Sequence, residues 1–442
     1  ITEVIVVADD IYNLTISLLE KNNQLDEVVI KAPTKAKVES VKSLLTMQKN
    51  SATVSDGISA ETIKRTPDKN TSDVLKRISG ASIQDNRFVI IRGLNDRYNA
   101  SLLNGSPLPS SDSDRKAFSF DIFPSNMLDN IIINKTASPD LPGEFAGGVV
   151  QINTKSVPDK DFQSISIGSG YNTVTTFKEG KTYKGSSTDW LGFDDGTRNI
   201  PDSFPATAQL YRGLGKDAAG LNKQIELTKE FRGDVYVPYT VKAAPIKTFN
   251  FTYAQNHKLK NGGNLGTLVA INYRNSMLIY DVEKAFYEAD GTTVFNFKDK
   301  QNRYQTNLGG IINIAWVKGK NKIAFKNLFN QLYEDNYYTR EGFNTNRRND
   351  IQFFSSYLNQ RSLFSTQLEG EHQLTSKGIK FKWNGNAGLN WKKQPDLRSA
   401  LYARTIDTDL PFEIDPDDTR RFYSDLKDYS AGAGGQFIVP MN

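Results

Sequence analysis

The chain has 442 residues, 38% of them hydrophobic, with no Cys, two His and a net charge of +5 spread over 105 Lys, Arg, Asp and Glu. No stretch approaches the roughly 18 apolar residues of a membrane-spanning helix, there is no thiolate for a disulfide or a zinc site, and charge this balanced gives no argument for nucleic-acid binding. Nineteen Tyr and 25 Phe are many for a chain of mean hydropathy −0.51, a combination that suits a β-barrel, in which only alternate residues face lipid, or a large β-sandwich.

The opening residues, ITEVIVVADDIYNLTISLLEK, already alternate. Residues 1–23 read as the end of a β-sandwich, and any export signal is expected upstream. Residues 24–50 begin with the β-prone run Asp26-Glu27-Val28-Val29-Ile30 and continue into a Lys- and Pro-containing linker. Such a run either closes the preceding domain or adds to another protein's sheet edge.

Residues 51–157 read as one α/β unit. A helix capped near Asn70–Ser72 carries Val74, Leu75 and Ile78 on its apolar face and stops at Gly80. FVIIRGL (88–94) is a buried strand and SLLNGSPLP holds an Asn-Gly turn. FPSNMLDNIIINK (123–135) is a short helix entering a strand, and PDLPGEFAGGVVQINTK (139–155) leads through glycines into the last strand.

From residue 158 the pattern becomes strict period-two alternation. Phe249, Phe251 and Tyr253 oppose Thr248, Asn250 and Thr252. Ile323, Phe325 and Phe329 oppose Lys322, Lys326 and Asn330. Phe364 and Leu368 oppose Ser365, Gln367 and Glu369. Tight turns at 258–264, 318–321 and 375–378 alternate with long polar connections at about 172–245, 277–302, 335–355 and 394–425. Short turns on one side and long loops on the other make a transmembrane barrel. About eight strands follow Phe162, too few to enclose a unit of some 100 residues, so they are expected either to be the first part of a larger barrel or to be covered by another protein's barrel edge. The acidic stretches SSDSDRKAFSFD (110–121) and IDTDLPFEIDPDD (406–418) are expected at a ligand-facing end and in a solvated outer loop.

The segments VLKRISGASI, FVIIRGL, SLLNGSPLP and FPSNMLDNIIINKTASPDLPGEFAGGVVQINTK resemble the plug of the TonB-dependent outer-membrane receptors. DWLGFDDGTRNIP (189–201) is similar to a first-loop motif of one branch, and QLDEVVIKA to a signal region between a carboxypeptidase-regulatory-like sandwich and the plug. The resemblance implies a mainly β fold: a transmembrane antiparallel barrel, partial in this chain, around an α/β plug. It implies TonB-dependent transport across the outer membrane of a gram-negative bacterium, with plug and N-terminal segment toward the periplasm, or alternatively a structural subunit of an outer-membrane assembly or secretion complex.

Asp26, Glu27, Val28, Val29 and Ile30 are then expected to meet TonB and, through it, the inner-membrane energising complex. Arg92, Glu144, Gly147 and Gly148 are expected where plug meets barrel, and Asn95, Asp96, Arg97 and Tyr98 at the substrate. Other partners are outer-membrane lipid, an extracellular substrate of unknown identity, and a surface lipoprotein or other outer-membrane subunits. No Ser-His-Asp set, phosphate loop or paired carboxylates stand out, so no enzyme activity, cofactor or metal is expected.

Overall fold

A computed structural model describes residues 40–51, 53–108, 110, 117–139, 141–155, 161–205, 207–260, 262–376 and 378–440. The Asp26, Glu27, Val28, Val29 and Ile30 run and the segment 1–23 lie outside the described residues.

Ser40 caps α1 (Val41–Lys49) by accepting from the Ser43 amide. This helix corrects the expectation of a linker through residue 50: Leu44 is buried and lies over Gly57, so the segment belongs to the unit that follows. That unit contains β1 (Ser55–Ser59), α2 (Ala60–Lys64), α3 (Thr71–Leu75), β2 (Ala81–Gln84) and β3 (Phe88–Ile91), then β4 (Asn99–Leu103), β5 (Ser106–Pro107), β6 (Leu128–Asn134) and β7 (Gly148–Thr154). Asn70 caps α3, Val74, Leu75 and Ile78 are buried, and Gly80 turns the chain at φ +71°. The central sheet runs β1-β6-β7-β4-β5, with β4 parallel to β7 and its other pairs antiparallel. β2 and β3 pair separately.

Eight antiparallel strands form the second body, in spatial order β17-β16-β15-β14-β13-β12-β11-β8. They are β8 (Phe162–Gly170), β11 (Ile246–Lys258), β12 (Asn264–Tyr287), β13 (Thr293–Lys318), β14 (Asn321–Asn344), β15 (Asn349–Gln373), β16 (Lys380–Thr405) and β17 (Glu413–Ile438). β8 and β17 are its edges among the described residues.

The alternation expected from the sequence holds. Ala254, Leu268, Ala270, Ile311, Leu328 and Leu363 point to the α/β unit and join its buried core, whereas Ile312 (53% exposed), Phe325 (43%) and Phe364 (43%) point away. The inner face is therefore mixed: small and aliphatic groups sit between its amides where it touches the unit.

The long connections need correction. Residues 277–302, 335–355 and 394–425 are mostly strand, paired in register up to Tyr287↔Thr293, Asn344↔Asn349 and Ala403↔Glu413. Strands of 24 to 26 residues far exceed the ~9–11 that cross a bilayer. The polarity there marks strand outside the apolar band, and much of the acidic 406–418 segment is the start of β17.

Among the described residues, 171–245 is the one long excursion, with β9 (Glu179–Thr182) pairing β10 (Tyr239–Lys242), and α4 (Ala208–Arg212) and α5 (Ala218–Lys229) between them. It packs on the outer face of the far halves of the strands, where Thr306, Gln331, Tyr333 and Asp335 are buried.

Candidate functional site

The contact of the α/β unit with the wall is polar at its centre and directional. Asn313 Nδ2 donates to the Lys155 carbonyl (2.7 Å), Asn330 Nδ2 to Ile122 (2.6 Å), Gln367 Nε2 to Asn104 (3.1 Å) and Asn390 Nδ2 to Ser110 (2.7 Å). Asn126 Nδ2 donates to Asn250 Oδ1 at 2.5 Å. Each such bond nets ~0.5–1.5 kcal/mol because water replaces it when it breaks.

One ion pair is buried among them. Arg361 donates through Nη1 and Nη2 to both oxygens of Asp121 (2.8 and 2.5 Å), and Nη1 also reaches Ser119 Oγ (2.6 Å). Arg87 stands 3.6 Å from Asp121 and 3.7 Å from Glu334, linking the pair to the wall a second time. Burial works against ionisation of Asp121, but the charges of Arg361 and Arg87 outweigh it and hold its carboxyl below the ordinary range.

Residues 117–121 are buried, so this part of the acidic 110–121 stretch is a docking element and not a ligand-facing end. Beside it lies a cavity of about 350 Å³ between Lys69, Asn126, Asn250, Asn272, Arg274 and Asn307. Burial, and then the neighbouring charge of Arg274, lower the pKa of the Lys69 ammonium.

Arg92, Gly147 and Gly148 are internal to the unit and do not meet the described strands of the wall. Arg92 and Gly93 take positive φ (54° and 74°) at the end of β3. From there Arg92 donates to the carbonyls of Gly147 (3.0 Å) and Ala146 (2.7 Å). The amides of Ala146 and Gly147 donate in turn to the Tyr98 carbonyl. A Cβ on Gly147 would fall 2.0 Å from Asn99 Oδ1, and one on Gly148 would fall 3.0 Å from the Asn134 carbonyl and from Ile91 Cδ1. The glycine pair exists because two neighbouring strands and the Arg92 turn close over it.

Glu144 is exposed on the same turn. Asn95, Arg97 and Tyr98 are exposed around a 3₁₀ turn, with Arg97 donating to the Tyr98 hydroxyl (2.9 Å), while Asp96 is buried and accepts from the Arg97 amide (2.9 Å). Arg92, Glu144, Gly147 and the 95–98 turn thus form one end of the unit, opposite the Asn104–Gly105 turn that Gln367 holds.

The wall residues Asn313, Asn330, Arg361, Gln367 and Asn390, and Asp121 facing them, are the contacts that sequence reasoning missed. The available signal was a run of Asn and Gln, with one Arg, on the inward parity of otherwise amphipathic strands.

The excursion 171–245 is held by a second network. Asp189 and Asp194 grip Arg198, whose side chain is 1% exposed, at 2.8 and 2.6 Å, and Tyr183 donates to Asp335 at 2.8 Å. Burial raises the Asp335 carboxyl to about 6 against the opposing pull of Arg198 and Tyr183. Burial also opposes the charge on Asp189, but bonding to Arg198 wins and lowers its pKa.

Among curated proteins, none matches the chain by sequence. Among solved structures it is similar to the unliganded ferric citrate transporter FecA (12% identity, TM-score 0.32, covering 90% of this chain and 55% of that one). It is also similar to the outer membrane transporter YddB from Escherichia coli (12%, 0.29, 87% and 54%) and to the RagAB peptide importer in its closed-closed state (10%, 0.36, 87% and 52%). The chain spans about half the length of these structures. Residues 46–150 match the family described as TonB-dependent Receptor Plug Domain. The α/β unit docked on the long-stranded wall is therefore a TonB-dependent receptor plug.

Proposed function

We propose that the protein imports a substrate across the outer membrane of a gram-negative bacterium, with the plug as the moving gate and TonB as the source of force. The observation that carries this is the chemistry of the plug's seat. Side-chain amides of the wall hold plug carbonyls around one buried ion pair. Bonds of this kind exchange for water at small net cost, so a pull can release the plug and the same contacts can reform.

In this scheme Asp26–Ile30 is the strand-forming handle that pairs with TonB in the periplasm. Asn95, Arg97 and Tyr98, at the plug end away from the Asn104 turn, present donors and an aromatic face to the substrate. The protein performs no covalent chemistry.

The test has two arms in full-length protein. Deletion of 24–32 abolishes capture of the purified periplasmic domain of TonB. A disulfide between Asn313→Cys and Lys155→Cys, which ties plug to wall, blocks uptake of whatever ligand co-purifies from native membranes and is relieved by reduction. Uptake that survives both changes favours a structural role in an outer-membrane assembly.

A further inference from the structure

The outer face of the sheet changes character along its length. Near the 319–320 turn it carries exposed Ile312, Ile314 and Phe325. Further along the same strands it is covered by the 171–245 excursion: Tyr273 donates to the Trp190 carbonyl (2.7 Å), Gln331 to the Gly192 carbonyl (2.7 Å), and Phe193 stacks on Phe329 with ring centroids 6.5 Å apart.

Phe329 and Tyr333 lie ~26 and ~40 Å along β14 from Asn321 at ~3.3 Å per residue, or ~19 and ~28 Å of height at a 45° tilt. An outward apolar band is ~25 Å tall and ends in an aromatic girdle. The excursion therefore begins at the height where the girdle belongs, and at that height Trp190 is 57% and Phe193 38% exposed. Part of the turn's charge is compensated: Asp189 and Asp194 pair with Arg198, while Asp195 stays exposed and accepts from Ser187 and Thr197.

From this continuity we infer that the turn around Trp190 is a membrane anchor, lying in the headgroup and upper acyl region of the outer leaflet with Trp190 and Phe193 against lipid. The inference rests on the barrel assignment above. It makes the excursion a collar on the outside of the barrel, fastened to the wall by the Arg198 and Tyr183 network.

The test is fluorescence quenching of full-length protein in nanodiscs whose lipids are brominated near the headgroup end of the acyl chains. One variant keeps Trp190 alone, every other Trp of the protein, Trp316, Trp383 and Trp391 included, being replaced by Phe. Another keeps only Trp316, which has outward parity beside the 319–320 turn. Quenching of Trp190 by the brominated lipid to an extent comparable with Trp316, and shielding of Trp190 from aqueous iodide, are the expected results. Quenching of Trp316 alone, with Trp190 open to iodide, overturns the anchor and leaves the barrel standing; quenching of neither overturns both. If the single-Trp variants do not fold, 5-fluorotryptophan in the unaltered protein gives the same readout with paramagnetic lipid, its Trp190 resonance assigned by Trp190→Phe.

Discussion

Arg361→Gln separates a docked plug from one that merely lies nearby. The substitution leaves the Asp121 carboxylate buried, with Arg87 at 3.6 Å as its remaining cation. Stripping one partner from a buried ion pair costs ~3–5 kcal/mol. Arg87 is partly exposed and closes some of the gap, so the lower end applies, about 3 kcal/mol. At 1.4 kcal/mol per decade, amide exchange in residues 117–134 accelerates by a little over two decades for full-length protein in nanodiscs, while the strands β11–β15 keep their protection.

Asp121→Asn gives a similar loss, because the buried Arg361 guanidinium then faces a neutral amide in place of a carboxylate. The pair Asp121→Leu with Arg361→Met recovers most of it, since an apolar replacement of a buried pair is often neutral or better. Single variants within about 1 kcal/mol of the parent, or a double variant as damaged as the two singles added together, refute the assignment of this pair as the plug's electrostatic latch.

Three further outcomes are expected. Gly309→Leu drives a Cβ to 2.5 Å from Met127 Cε and 2.7 Å from Asn330 Oδ1; overpacking of ~1–3 kcal/mol loosens the plug, and Met127→Ala in the same chain restores its exchange protection. Leu368→Arg, opposite Phe325 in mid-band, places a charge on the outward face at ~2–4 kcal/mol near the bilayer centre and lowers folding yield in lipid vesicles, whereas Gln367→Asp, which loses the donor to the Asn104 carbonyl, shows its defect in plug exchange; equal vesicle yields contradict the face assignment. Asp335 has a raised pKa of about 6, so its protonated form favours the folded excursion: that contribution is full below about 4 and lost as pH rises through about 6. Amide protection in 179–199 therefore falls between pH 4.5 and 6.5, and Asp335→Asn flattens the profile; a slope that persists in Asp335→Asn assigns the titration elsewhere.

The faces of the strands were legible because lipid and plug are different solvents and the pleat sorts residues between them every second position. That single rule placed Phe325 and Phe364 outward and Asn330 and Gln367 inward. It fails above the apolar band, where Thr306, Gln331 and Asp335 face the excursion instead of lipid. Polar side chains then occur on both faces, and strand composition becomes indistinguishable from loop. The buried helix of α3 was legible from its cap and apolar spacing. The partners of Arg92 were hidden for a different reason: they are the main-chain carbonyls of Ala146 and Gly147, and a carbonyl leaves no trace in residue identity. The Asp121–Arg361 pair joins positions 240 apart in the chain, a distance at which local pattern carries no information about partnership.

The direction of the seat's hydrogen bonds has a consequence for how the two bodies change over time. Asn313, Asn330, Gln367 and Asn390 grasp main-chain oxygens, which every amino acid supplies. At those four positions the wall is blind to the identity of the plug residue it holds. The plug's sequence is free to drift there while its backbone path is policed, and the burden of restraint falls on the wall's own amides. Asp121, Ser119, Asn126 and Arg87 are different, plug side chains whose loss the wall would register. A foreign plug with the same backbone course and matching side chains at those places should therefore seat in this wall despite low sequence similarity elsewhere.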